Sequence, residues 1–200
     1  MAKDIGEEIV GAWLRVIEGC DFVQYNVPTR TMQGEIDVVG LNLQTQVVYI
    51  CEVATHTLGL HYTKHGKNNT EVKLTTKFCT DIEYARQYLT QFKQQRFMLW
   101  SPIVKLRTFS DLARMQKTIL GNYGVEIEMV INETYLDKIN ALKRKAGEET
   151  AASEYPVFRL LQILGALEVH TGKLSKTGLL NSQEFIQVLQ TNLDSPSSLE

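Results

Sequence analysis

Cysteine is scarce in this sequence: Cys20, Cys51 and Cys79 stand far apart, odd in number and with no CxxC pair. That spacing argues against a disulfide framework and a zinc site, and the expectation is reduced, mostly buried thiols. Long apolar runs are missing as well, and the opening MAKDIGEEIV is too polar and acidic for a signal peptide. No membrane partner is expected, and a cytoplasmic location follows by default. Nor is there a charge excess: the net charge of −2 over 200 residues says nothing for nucleic acid. What is present is an ordinary globular composition, 44% apolar and 22% charged, ample for one domain with a real core.

The charges are unevenly spread. Residues 1–59 carry 3 basic and 8 acidic side chains, residues 60–120 carry 11 and 4, and residues 121–200 carry 7 and 11. An acidic pocket beside a basic stripe suits a metal-dependent enzyme acting on a polyanion, although solvated helix faces also produce such local excesses.

Periodicity predicts a helix over 4–18, closed by Gly19, and a strand over 21–27 stopped by Pro28. Strands over 35–41 and 46–54 form a hairpin, and 56–69 (HTLGLHYTKHGKNN) reads as a loop. A helix over 70–92, a strand over 96–100, a helix over 110–120, a strand over 125–131 and a helix over 133–146 complete the main body. The order α-β-β-β-α-β-α-β-α predicts an α/β fold, a mixed β-sheet flanked by helices. Residues 1–150 are assigned to this domain, 151–195 to a small helical C-terminal extension with helices over 155–169 and 181–193, and 196–200 to a disordered tail.

Two of the strands carry carboxylates among apolar residues. In 47–54, Val48, Ile50, Glu52 and Ala54 point one way and Val47, Tyr49, Cys51 and Val53 the other. Both sets are apolar, so this strand is expected to be central and covered on both sides. Burying an unpartnered carboxylate costs several kcal/mol, so Glu52 must reach solvent, pair with a cation or ligate a metal. On the preceding strand Asp37 is framed by Ile36, Val38 and Val39, and a short hairpin would set it beside Glu52. Two like charges held together call for a divalent cation between them, and oxygen-only ligands suit Mg2+ or Mn2+. Taken singly, each reads better as a surface charge at a strand end or a partner of Lys or Arg; it is the pair that points to a metal.

Gly34-Glu35-Ile36-Asp37, a turn, then Val48-Tyr49-Ile50-Cys51-Glu52-Val53 resembles the core motif of the PD-(D/E)xK nuclease superfamily, in the flavour of Holliday-junction resolvases and small bacterial relatives. The element order is similar over about residues 5–100, the motif over some twenty residues. The resemblance implies a restriction-endonuclease-like αβββαβ core and a Mg2+-dependent nuclease acting on nucleic acid, DNA before RNA. It also implies that Asp37, Glu52 and the backbone carbonyl of Val53 hold the metal, helped by a first-helix glutamate, for which Glu7 fits the spacing better than Glu8.

One position departs from the pattern: Ala54 stands where the motif lysine belongs. In the superfamily that lysine positions or deprotonates water and stabilises charge on the phosphate. Its charge could come from His56, placed by strand alternation on the face of Glu52, or from Lys73 and Lys77, i,i+4 neighbours on the next helix. The alternative is a degenerate module that binds nucleic acid or a protein without cutting. His61, Lys64, His65 and Lys67 make a basic loop where a phosphate backbone could pass, and Tyr62 could stack on a base. A homodimer would serve to cut both strands.

Overall fold

The computed structural model describes residues 4–29 and 34–171. The apolar positions Val10, Trp13 and Leu14 recur at helical spacing and form the buried side of helix α1 (Ile5–Val16). Asp4 caps this helix, its carboxylate accepting from the Gly6 amide at 2.7 Å, and Glu7 and Glu8 stand in the first turn, where the helix dipole favours them. Strands β1 (Phe22–Thr29), β2 (Gly34–Asn42) and β3 (Val47–Val53) then run antiparallel in sequence. Two short strands, β4 (Thr63–Lys64) and β5 (Lys67–Asn68), pair in a hairpin before helix α2 (Thr70–Tyr88). Strand β6 (Gln94–Ser101), helix α3 (Leu106–Tyr123), strand β7 (Ile127–Ile131) and helices α4 (Asn132–Glu148) and α5 (Pro156–Thr171) follow.

The main sheet has the order β1-β2-β3-β6-β7, antiparallel through β3 and parallel from β3 to β7. It is the mixed sheet flanked by helices that the element order predicts. Both parallel connections carry a helix, α2 and α3, which pack on one face; their side chains Leu74, Phe78, Ile82, Leu112 and Met115 meet Val48, Ile50, Phe97 and Leu99. The opposite face, with Tyr49, Cys51, Met98 and Trp100, is covered by α1, α4 and α5. Strand β3 is thus central and buried on both sides, with Val48, Ile50 and Glu52 facing α2. The three cysteines are free, two of them buried.

Several boundaries differ from the sequence expectation. β1 runs through Pro28, which pairs with Glu35; an edge strand can hold a proline because its amide side needs no neighbour. Residues 63–68 are a hairpin rather than open loop, turned by His65 and Gly66 at φ 51° and 74°, the left-handed pair a two-residue turn requires. α2 ends four residues before Phe92, and α3 begins at Leu106. Among the described residues no helix is long and apolar enough to cross a membrane. The expected helix over 181–193 and tail over 196–200 lie outside the described residues.

Candidate active site

The register of β2 on β3 pairs Val38 with Cys51 and, continued by one step, would set Asp37 opposite Glu52, but the pairing stops at Val38. On the other side of β2, Asn26 takes a left-handed φ of 50°, and no pairing joins it to Asp37 in an otherwise continuous register. Asp37 therefore sits where the ladder opens on both flanks. Its carboxylate fills the gap, with Oδ2 accepting from the Val53 amide at 2.7 Å.

Helix α2 supplies the cation. The Lys77 ammonium donates to both Asp37 oxygens, at 3.2 and 3.3 Å, and pairs with Glu52 Oε2. Burial alone would lower the Lys77 pKa, but the Glu52 and Asp37 charges outweigh it and push it up. One turn further, Asp81 brings a third carboxylate to Glu52. Both acids are 2% exposed, and Glu52 Oε1 and Asp81 Oδ2 lack any hydrogen-bond donor. Burial, then the charges of Asp81 and Asp37, raise Glu52 well above the carboxylate range, and burial carries Asp81 up to about 7. A hollow of about 150 Å³, lined by Glu35, Thr76, Lys77 and Asp81 among others, opens beside this group.

The start of α1 closes in from the opposite face. Gly6 packs so tightly on the end of β3 that a Cβ would meet Thr55 Cγ2 at 2.1 Å, and Thr55 Oγ1 donates to Asp4 at 2.8 Å. This seat turns Glu7 toward the opened ladder, where it accepts from Asn26 Nδ2 at 3.4 Å. Burial, then the Asp37 charge, raise its pKa. Glu8 faces a different hollow, with Arg15, Tyr25 and Glu154.

Of the residues singled out from the sequence, Asp37, Glu52 and Lys77 meet directly, and Glu7 lies within reach of the Asp37 charge. Lys73 is turned elsewhere, its ammonium 3.9 Å from the centre of the Tyr62 ring. His56 does not stay on the Glu52 face, because β3 ends at Val53 and the alternation ends with it. It packs edge-on against Tyr62, 5.2 Å between centroids, and lines a hollow of about 450 Å³ with His61 and Arg107. Tyr62 joins the two regions: its half-buried ring lies under the Lys73 ammonium and meets His56 edge-on. Lys64, His65 and Lys67 are exposed on the hairpin.

Asp81 was not legible as a site residue in isolation. Its signal is positional: Leu74, Phe78, Ile82 and Ala85 form the buried stripe of α2, and Lys77 and Asp81 fall on its margin at i,i+4 spacing. Among the described residues no three His, Cys, Asp or Glu side chains gather into a metal-holding cluster. No family model, no curated protein and no solved structure matches this chain.

Proposed function

We propose that this chain is a divalent-cation-dependent phosphodiester hydrolase acting on nucleic acid, with DNA the first substrate to test, built on a restriction-endonuclease-like αβββαβ core. The observation that carries this reading is the convergence of Asp37 and Glu52, from adjacent strands, on the ammonium of Lys77 where the strand ladder opens. The donor set fits a hard cation: every candidate ligand is oxygen, and Glu52 Oε1 is buried without a donor. Two carboxylates suffice for Mg2+, which keeps several waters and takes further oxygens from substrate phosphates. Asp37, Glu52 and the Val53 carbonyl would hold the ion, with Glu7 beside them. When bound, the ion would supply an acidified water and offset phosphate charge.

The chain's own groups do the rest. The Val53 amide fixes the Asp37 carboxylate in one orientation. Lys77 brings to the site the positive charge that Ala54 cannot, held beside the two acids.

The test is Mn2+ or Mg2+ titration by calorimetry, with and without DNA, followed by cleavage assays. Wild type should bind and cleave; Asp37→Ala and Glu52→Ala should lose divalent-dependent cleavage while keeping the fold. Cleavage retained in both variants would sink the assignment. One observation favours a second reading: Lys77 already pairs with both acids. A non-cutting module of the same fold would show no Mn2+ binding even with DNA present.

A further inference from the structure

The rim next to this site combines two features that need a partner. The first is uncompensated positive charge. At several other places cations are paired, Arg96 with Glu128, Arg114 with Glu71 and Asp111, and Lys145 with Glu148 and Glu149. The rim's Lys64, Lys67 and Arg107 form no ion pair among the described residues. The hollow of about 450 Å³ where His56, His61 and Arg107 meet has threonines, a glycine and a leucine for its other walls and no carboxylate.

The second feature is apolar. Leu58 and Leu106 are the most exposed large hydrophobic residues of the described chain, at 84% and 86%. They stand on two segments that are stitched together: the Leu60 amide donates to the Ile103 carbonyl at 2.8 Å, and Thr108 Oγ1 donates to the Leu60 carbonyl at 3.1 Å. Gly59, at φ +103°, turns the first segment against the Lys105 side chain. The leucines therefore project from a fixed base, one on the wall of the basic hollow and the other adjacent to Arg107.

We infer that the ligand of this rim is a polynucleotide with unpaired bases, whose phosphates lie against Arg107, His56 and His61 and whose unstacked base packs on Leu58 and Leu106. A closed duplex offers phosphates but keeps its base faces stacked away, so the leucines would gain nothing from it; a frayed end, fork or single strand presents both surfaces at once. Tyr62 packs against His56 of the rim and under Lys73, one helical turn from Lys77, so this substrate class rests on the reading of the Asp37–Glu52 pair as a nucleic-acid site.

The experiment is fluorescence anisotropy in EDTA, comparing a forked duplex, a single strand and a blunt duplex of equal length. Wild type should prefer the fork and single strand over the blunt duplex by about tenfold, the effect of burying one leucine side chain. L58S/L106S should lose that preference while keeping its blunt-duplex affinity, and both substitutions are at exposed positions that leave the core intact. R107A should weaken all three ligands and flatten the salt dependence by about one phosphate contact. Equal binding of the three ligands, a preference that survives L58S/L106S, or stronger displacement by poly-glutamate than by the fork would each overturn the inference. Because EDTA removes cleavage from the measurement, a fork preference without Mg2+-dependent hydrolysis sinks the hydrolase alone, and hydrolysis without the preference sinks this substrate class alone.

Discussion

Glu52 and Asp81 each keep one carboxylate oxygen without a donor under the sheet, and a single proton shared between them removes both a charge and a lone contact. Burial raises the acids in the folded chain, Asp81 from its ordinary 3.8 to about 7. The folded state therefore holds protons that the unfolded chain has released. Its stability is full below the ordinary carboxylate range and falls as pH rises toward 7. Asp81→Asn supplies a permanent donor in the same volume. It should gain about 1–3 kcal/mol over wild type near pH 8 and much less near pH 4, read from urea midpoints at the two values. An equal effect at both would mean that Asp81 is ionised throughout and the proton lies elsewhere.

At the scale of the element, α2 is what makes the site, because one helical turn delivers both Lys77 and Asp81 to acids on β2 and β3. Removing only the cation, as in Lys77→Met, leaves the acids facing one another with nothing between them. That should cost about 3 kcal/mol at neutral pH. Most of it should return near pH 4, where the acids take up protons, and thermal melts at both values would check the pattern. An equal loss at the two values would mean that Lys77 stabilises by packing alone. The strands and their carboxylates are readable because alternation places Glu52 among residues that must be buried, and the long helices, though not their ends, follow from apolar spacing. Two kinds of feature are not. His56 was assigned by extending alternation past the point where β3 leaves the sheet, and backbone pairing, not sequence period, decides that point. Asp81 stays hidden because a helix residue beside a buried stripe looks the same in sequence whether it faces water or another carboxylate. The hairpin over 63–68 turned on a histidine at positive φ, a conformation that the residue type permits without announcing.

In the whole molecule the two helical layers have different duties. The α2–α3 layer carries the candidate site, whereas α1, α4 and α5 back the sheet and bring only the start of α1 to the site. α5 joins this backing through Phe158, fully buried against the core that includes Trp13 and Trp100, while Gln162 binds the carbonyls of Glu149 and Ala151 and ties the helix to the end of α4. Such a helix stabilises from a distance. Phe158→Ala should cost about 3–4 kcal/mol through the cavity it leaves. If the layers are separate in function as well as in packing, the variant, studied below its lowered melting temperature, should respond to Mn2+ as wild type does. A Mn2+ response lost together with Phe158, in a chain that circular dichroism shows to be folded, would mean instead that the backing layer sets the position of Glu7, since α1 touches both α5 and the strands of the opened ladder.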